Sequence, residues 1–447
     1  MITGKELVEL GYTPGKWFKE ALEYINANEI ALEDINTVIE QFIPPPYMEP
    51  HENALPYYKN IECENDTELE NLISVEATMN EVMKTPTITK AAIMPDACPA
   101  GPLGNIPVGG VVVAKNAIHP GMHSADICCS VMLTGFGNIE PKQVLDWIHK
   151  ITDFGNGPRQ NTEKSRFDLP EDLYNRMKAN PYFGEKALAM AKSHLGTQGD
   201  GNHFAFVGKS KKTGETCLVT HHGSRGVGAM VYKFGMAKAE SWRKRLSPNS
   251  NKINAWIPYN STDGREYWEA LQLVREWTKL NHDVLHSWVV DKAKYVSKTH
   301  FWNEHNFVFK RDDLFYHAKG STPLSDEFVP DNDTGLRLVP LNMREPVLVV
   351  KGNITEENLG FAPHGAGRNM SRSKFLKNDI DFDKETEGLD VRFYTGHADK
   401  SELPSAYKSA KAVREQIKKF NMGEVVDEII PYGCIMAGDN PNRYNRR

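Results

Sequence analysis

Short apolar runs, several of them closed by glycine, recur along this chain from about residue 93 onward. The four clearest are VGGVVVA at 108–114, HFAFVG at 203–208, TCLVT at 216–220 and VLVVKG at 347–352. Runs of this kind are typical of buried strands, because β-branched side chains pack well on a pleated surface. One long segment, 265–297, instead carries apolar residues at helical spacing. The mixture predicts an α+β fold.

The first 80 residues have a different texture. Thr3 and Glu6 have the spacing of a capping box, and the apolar positions that follow predict helices interrupted near Gly11 and Gly15. Three consecutive prolines at 44–46 end this pattern, and the acidic stretch 62–70 begins a second helical piece that leads towards Met83. We therefore expect a helical appendage over residues 1–80 and a main domain over residues 81–447.

Composition restricts the class of protein. The 447 residues are 40% hydrophobic and 25% charged, as in ordinary globular proteins. No apolar run is long enough for a membrane span, and the N-terminus lacks the pattern of a secretory signal. Six cysteines are too few for a disulfide scaffold of this size. The sequence thus predicts a cytoplasmic protein without membrane association, and its net charge of −6 argues against electrostatic coating of nucleic acid.

Residues able to bind metals stand repeatedly beside glycines at the ends of predicted strands. A glycine lets the backbone turn away while the neighbouring side chain points into a cleft, so we expect several of these residues to converge. Cysteine, histidine and carboxylate side chains all coordinate divalent transition metals. Taken singly, each is more often a hydrogen-bonded core residue than a metal ligand. The four places are ADICCS with Asp126, Cys128 and Cys129; GDGNHF with Asn202 and His203; THHGSRG with His221 and His222; and EHNFVF with His305 and Asn306.

A competing metal motif is HDVLH, in which His282 and His286 would share one face of the long helix. The HExxH zinc proteases have the same spacing, but Asp283 stands here where they have glutamate. Leu285 and Trp288 favour a packed helix instead. The metalloprotease reading is the weaker alternative.

The segment HGAGR, residues 364–368, combines a nucleophile or base, three small residues and an arginine. The small residues permit a close approach of backbone to a ligand, and arginine binds phosphate through two parallel hydrogen bonds. The spacing is not that of a Walker loop. His364 is thus a candidate for the reactive centre of a phosphate-bearing substrate, with a simple glycine turn as the alternative.

Eight segments follow one another in the order MPDACPAGPLGNIPVGGVV, DICC, LGTQGDGNHF, HHGSRGVG, HNFV, YHAKGSTP, FAPHGAGRNMSRS and ELPSAYK. Together they resemble the RtcB family of RNA-splicing ligases, from about residue 93 to the C-terminus. The resemblance implies a large mixed-sheet catalytic domain of the RtcB type, with the first 80 residues outside it.

The resemblance implies joining of an RNA 3′-phosphate or 2′,3′-cyclic phosphate to a 5′-hydroxyl end, with Mn²⁺ and GTP or another NTP as cofactors. Its partners would be RNA with broken ends, such as tRNA, and the nucleotide; it names no protein partner. His364 would carry the nucleotide covalently, which splits one difficult transfer into easier steps. Asp96 is the second catalytic residue that it implies.

The resemblance also implies a ligand set for two Mn²⁺ ions: Asp126, Cys129, His203, His221 and His305, with the Cys129 thiolate bridging them. Such a pair would hold phosphate oxygens in line. The implied nucleotide-binding positions are Asn202, His203, Phe206, Asn306, Asn342, His364, Gly365, Ala366, Gly367, Arg368, Tyr407 and Met436, and Arg225 would bind a phosphate of the RNA.

The sequence departs from the family pattern where the family reads guanine. Phe206 replaces an acidic residue, and Met436 replaces a lysine near the C-terminus. A site without its hydrogen-bonding groups has little means of selecting one base. Further departures are Cys98 in place of a histidine, and Cys128 and Ser130 in place of glycines around the metal cysteine.

Two other functions agree with the same residues. A metal-dependent phosphatase or cyclic phosphodiesterase acting on RNA ends would need the two ions but no nucleotide. A non-catalytic RNA-binding paralogue would use the cleft only for recognition. Retention of His364 beside all five implied ligands favours the ligase.

Overall fold

The computed structural model describes residues 1–44, 46–160, 167–295 and 297–439. The helices are α1 Gly4–Glu9, α2 Trp17–Ala27, α3 Ile35–Val38, α4 Asp66–Val82, α5 Pro141–Ile151, α6 Glu171–Ala179, α7 Glu185–Ser193, α8 Arg225–Leu246, α9 Thr262–Ala293, α10 Arg372–Phe375, α11 Phe382–Thr386 and α12 Ala410–Lys419. The strands are β1 Tyr58–Lys59, β2 Ile88–Cys98, β3 Val108–Lys115, β4 Ala117–Ile118, β5 Ser130–Gly135, β6 Phe204–Ser210, β7 Thr216–His222, β8 Ile257–Pro258, β9 His300–Glu304, β10 Asn306–Arg311, β11 Leu314–Lys319, β12 Ser321–Pro323, β13 Leu336–Pro340, β14 Val347–Gly352, β15 Phe361–Pro363, β16 Asp390–Phe393 and β17 Gly423–Met436.

Two large sheets form the framework. The first has the strand order β1-β2-β3-β11-β10, and the second has the order β13-β14-β17-β6-β7-β5-β9, with β16 paired to β17. The pairings are antiparallel except β1 with β2 and β16 with β17, which are parallel. This confirms the predicted α+β class with mixed sheets.

The four predicted strands correspond to β3, β6, β7 and β14, with ends that differ by two residues at most. The predicted long helix is α9, which begins three residues earlier and ends at Ala293. Its N-terminus is capped by Ser261, whose side chain accepts a hydrogen bond from the backbone N–H of Gly264 at 3.1 Å. The strong local patterns were thus reliable for these elements.

The larger sheet separates two apolar clusters by the alternation of its side chains. On β5, Met132 belongs to the main core, which α5 and α9 contact, whereas Val131 and Leu133 belong to a second cluster on the opposite face. On β6, Val207 likewise faces the main core and Phe206 the second cluster. The second face is the one that borders the candidate site.

The N-terminal residues form a small core of their own. Five buried residues of the first 43 pack together there: Leu7, Ala21, Ile25, Ile35 and Ile39. The expected Thr3 and Glu6 capping box is present, with the Thr3 backbone N–H donating to the Glu6 carboxylate at 2.8 Å. Helix α4, in contrast, packs on β2. The domain boundary at residue 80 stays a prediction.

None of the helices in the described part of the chain combines the length and the hydropathy that crossing a lipid bilayer requires.

Candidate active site

Strand register brings the predicted metal ligands to one edge of the larger sheet. In the antiparallel pairs, Val131 and Phe204, at the starts of β5 and β6, both lie opposite His221 near the end of β7. Ser130 also lies opposite Glu304, the last residue of β9. Because antiparallel pairing places the start of one strand beside the end of the next, the residues just outside these ends meet.

Five side chains converge at this edge. The Cys129 Sγ atom lies 3.6 Å from His203 Nε2 and 3.2 Å from His221 Nε2. His221 Nε2 lies 3.2 Å from His305 Nε2, and His203 Nε2 lies 3.3 Å from an Asp126 carboxylate oxygen. The ligand atoms form two groups of three, each within 4.8 Å, and Cys129 belongs to both. The sulfur is therefore common to both candidate ligand groups.

Hydrogen bonds at Nδ1 determine which ring nitrogen of His203 and His221 faces the cluster. His203 Nδ1 lies 2.7 Å from the backbone oxygen of Gln198, and His221 Nδ1 lies 3.1 Å from that of Asn202. A carbonyl oxygen only accepts, so both Nδ1 atoms carry the hydrogen and both Nε2 lone pairs point inward. Such carbonyl partners commonly orient histidines that bind metals.

Burial sets the protonation of the cluster. It lowers the pKa of His221 to about 3 and the pKa of His305 well below its ordinary value, so both imidazoles are neutral and able to donate a lone pair. Burial also raises the pKa of the Cys129 thiol well above its ordinary value. A thiolate here needs a cation beside it, and a coordinated thiol loses its proton. The mixed sulfur, nitrogen and oxygen donor set fits a divalent transition metal.

His364 forms a tight pair with a buried carboxylate. Its Nδ1 lies 2.6 Å from Asp96 Oδ2, and its backbone N–H donates to the same oxygen at 3.2 Å. The Asp96 side chain is fully buried. No hydrogen bond involves His364 Nε2 among the described residues. With the hydrogen held on Nδ1, the Nε2 lone pair is available.

The HGAGR turn needs its small residues for close packing. Gly367 has φ +72°, and a Cβ atom there would lie 2.1 Å from the backbone oxygen of Asp96. Any side chain at this position would push the turn away from β2. Glycine therefore keeps His364 in reach of the carboxylate that orients it.

A pocket of about 260 Å³ opens beside His364. Ten predicted nucleotide-binding positions line it: Asn202, Phe206, Asn342, His364, Gly365, Ala366, Gly367, Arg368, Tyr407 and Met436. His221 also lines it, and the rings of His305 and His364 lie 4.8 Å apart between centroids. The pocket thus runs from the cluster of candidate metal ligands past His364.

A buried carboxylate fixes the aromatic wall of this pocket. Glu402 accepts hydrogen bonds from the Tyr407 hydroxyl and from Arg372 Nε at 2.8 Å. It also pairs with Arg368 at 3.4 Å. The Arg368 guanidinium lies 5.2 Å from the centre of the Tyr407 ring. These contacts hold the ring in one orientation at the side of the pocket.

Other predicted residues lie outside the pocket lining. Asn306 uses its side-chain oxygen to accept from the backbone N–H of Gly320 at 2.7 Å. Arg225, partly buried, donates to the Thr197 hydroxyl at 3.0 Å, and its guanidinium lies beside Gly199 close to His203. Cys128 has φ +58°, which explains why glycine suits that position. The binding roles of Asn306 and Arg225 stay predictions.

The HDVLH histidines have structural partners instead of a metal-ligand arrangement. His282 lies 2.7 Å from the Thr220 hydroxyl and 3.1 Å from that of Ser130. His286 lies 2.7 Å from the hydroxyls of both Thr134 and Thr220. All four ring nitrogens are occupied, and neither histidine belongs to a candidate ligand group in the described part of the chain.

Sequence reasoning did not single out several residues of the site. Glu402 lies within ELPSAYK but shows no local sign of its role. Phe204 and Cys434 also line the pocket. Each is two residues from a predicted position on the same strand, so the period-two alternation of a strand could have identified them.

The chain matches the family model described as tRNA-splicing ligase RtcB over residues 156–437. It is 25% identical to the tRNA-splicing ligase RtcB of Archaeoglobus fulgidus, over 73% of this chain and 84% of that protein. It is 24% identical to the tRNA-splicing ligase RtcB of Thermococcus kodakarensis, over 80% and 90%. For the RNA-splicing ligase RtcB homolog 2 of Entamoeba dispar the values are 24%, 80% and 82%.

The family model covers more than half of the 447 residues and includes three of the five clustered ligands, the His364 turn and the Tyr407 wall of the pocket. On this match, the chain belongs to the RtcB family.

Proposed function

We propose that the chain is a cytoplasmic RNA ligase that joins 3′-phosphate or 2′,3′-cyclic phosphate ends to 5′-hydroxyl ends. It acts through a nucleotide adduct on His364, with two Mn²⁺ ions held by the five clustered ligands. The observation that carries the proposal is the position of His364, which Asp96 orients and which lines one pocket together with His221 of the ligand cluster. The six free cysteines agree with a reducing compartment.

Asp96 makes His364 a nucleophile. Its carboxylate holds the hydrogen on Nδ1, so Nε2 attacks with its lone pair and no proton has to leave first. As the new nitrogen–phosphorus bond forms, the imidazole becomes cationic, and the buried negative charge at 2.6 Å stabilises that cation.

The two ends of the pocket would bind different parts of the nucleotide. Tyr407, held by Glu402, would stack on the base. Asn202 and Arg368 would donate hydrogen bonds to phosphate oxygens. Bound Mn²⁺ ions supply positive charge against the triphosphate and the leaving pyrophosphate. Asp126, Cys129, His203, His221 and His305 would hold them.

Three transfers complete the reaction. His364 Nε2 attacks the α-phosphorus, and pyrophosphate leaves with the electron pair of the broken bond. An oxygen of the RNA 3′-phosphate then attacks the adduct, which breaks the nitrogen–phosphorus bond and restores the neutral imidazole. The 5′-hydroxyl finally attacks the activated 3′-phosphate, loses its proton, and releases the nucleoside monophosphate. A cyclic phosphate must first be opened by water.

The test uses purified full-length protein with Mn²⁺ and each of the four α-labelled NTPs. We expect acid-labile label on the wild-type chain and none on His364→Ala. An RNA with a 2′,3′-cyclic phosphate and a 5′-hydroxyl should be sealed only by the wild type. No label with any NTP in protein that binds Mn²⁺ would contradict the proposal. RNA-end hydrolysis unaffected by His364→Ala would indicate the phosphatase, and absence of Mn²⁺ binding the non-catalytic paralogue.

A further inference from the structure

One wall of the pocket is apolar where strands β6 and β17 meet. Phe204 and Phe206 project from β6, and Cys434 and Met436 project from β17, all lining the pocket. The strands pair so that Phe206 lies opposite Cys434 and Phe204 opposite Met436. Because the backbone groups of this wall take part in sheet pairing on both sides of β6, they offer a ligand little polar contact.

The lining beside this wall is apolar as well. Leu341, Met343 and Val347, all nearly fully buried, line the pocket from the segment around the start of β14. Asn342 lies among them, but its side-chain oxygen already accepts from the backbone N–H groups of Arg344 and Glu345 at 2.9 and 3.0 Å. The remaining polar group of the Asn342 side chain is its amide N–H₂, which can only donate.

The buried carboxylate of the pocket is also fully engaged. Glu402 accepts from the Tyr407 hydroxyl, from Arg368, and twice from Arg372. A carboxylate has about four lone-pair sites. Glu402 therefore has no acceptor left for the N–H groups of a base.

This lining discriminates between bases because it leaves different polar groups of each base without a hydrogen-bond partner. The Watson–Crick edge of guanine presents the acceptor O6, which the Asn342 amide could serve, and two donors, N1–H and N2–H₂, which both need acceptors. Adenine presents one donor group and an acceptor, N1, that the Asn342 amide could serve. A polar group buried without a partner is costly enough to change affinity by about tenfold or more. Adenine would also stack over a larger area of the Tyr407 ring than a pyrimidine would.

We propose that this pocket selects an adenine nucleotide, and that Phe206 and Met436 are specificity-determining residues that exclude guanine. The inference rests on the proposed function for the place of the base beside Tyr407. AMP should bind at least tenfold more tightly than GMP, and ATP should label His364 faster than GTP.

The binding test needs neither metal nor catalysis. AMP and GMP are titrated by calorimetry into metal-free full-length protein. Binding of GMP as tight as that of AMP, or no detectable binding of AMP at millimolar concentration, overturns the inference. Rapid labelling by GTP overturns it while the proposed ligase stands. AMP selectivity without any adduct supports the inference while the covalent mechanism fails.

A matched pair of variants tests the wall itself. Phe206→Glu supplies an acceptor for guanine and should shift the GMP-to-AMP affinity ratio at least tenfold towards GMP. Phe206→Leu removes the ring without adding an acceptor and should leave the ratio within about threefold of the wild type. Equal ratios in both variants would contradict the role of Phe206. Thermal unfolding checks that both are folded, and the wild-type comparison of AMP with GMP decides the base preference independently.

Discussion

Two replacements of Asp96, by asparagine and by alanine, distinguish the effect of its negative charge from the effect of its hydrogen bonds to His364. Asp96 Oδ2 accepts from both Nδ1 and the backbone N–H of His364, whereas Oδ1 is buried without a hydrogen-bond partner among the described residues. In Asp96→Asn the amide oxygen can keep the first position and the N–H₂ group take the second. The tautomer of His364 is then retained, and only the negative charge is lost.

The two expected losses differ in size. Weakening one charge-assisted hydrogen bond costs about 1.5–3 kcal/mol, which slows formation of the adduct roughly 10- to 150-fold. Asp96→Ala also frees the tautomer and the ring. A histidine held in the wrong tautomer loses on the order of 10⁴-fold in the serine protease triad. We therefore expect Asp96→Ala to lose on the order of 10³- to 10⁴-fold.

The assay is single-turnover labelling of His364 with the nucleotide that labels the wild type best. Asp326→Asn, which alters an ion pair with Arg337 away from the pocket, is the matched control and should label at the wild-type rate. Each variant is first shown by thermal unfolding to be folded at the assay temperature. Labelling of Asp96→Ala within threefold of the wild type would refute the orienting role of this carboxylate.

Three further predictions concern the metal cluster and the buried titratable groups. Cys129→Ala should lose bound Mn²⁺ by elemental analysis because both ligand groups share its sulfur, whereas Cys128→Gly should retain the metal. Burial lowers the pKa of Lys319 from 10.5 to about 8. Between about pH 8 and 10.5 the unfolded chain therefore binds more protons than the folded chain, and the free energy of unfolding should rise with pH across that window. Lys319→Met should remove this rise and stabilise the protein at pH 7 by roughly 3 kcal/mol at most, measured by urea unfolding. His286→Leu removes one of the two histidine partners of the Thr134 and Thr220 hydroxyls and should destabilise the protein by about 1–3 kcal/mol with unchanged metal content.

The strands that the sequence predicted well are those with uninterrupted local patterns. Strand β17 shows the opposite case, since Pro431 and Gly433 interrupt its 14 residues and the pairing register shifts between them. Strand β2 contains Pro95, which is tolerated because register is lost between Ile93 and Cys98. Both irregular segments carry site residues. They are stabilised by pairing with strands that are distant in the sequence, and no local sequence pattern indicates that pairing.

The site was predictable to the extent that glycine marks strand ends. The local pattern left open which of the two adjacent histidines would turn inward, and only the family resemblance named His221. His221 joins the ligand cluster, whereas His222 stacks on His282 at 3.5 Å on the other side of the sheet. Alternation along β7 requires that they face opposite sides. The packing of α9 against one face of the sheet determines which of the two histidines faces the core.

The same packing explains why HDVLH is not a metal site. Its spacing does place His282 and His286 on one buried face of α9, as the motif predicts. What that face meets is a row of hydroxyls from β5 and β7, which are good partners for both nitrogens of a neutral imidazole. A metal site would have required ring nitrogens free to bind the cation, and here all four lie within hydrogen-bond distance of hydroxyls. An i, i+4 histidine pair therefore identifies a helix face, and the strands opposite it decide whether that face binds a metal or supports the core.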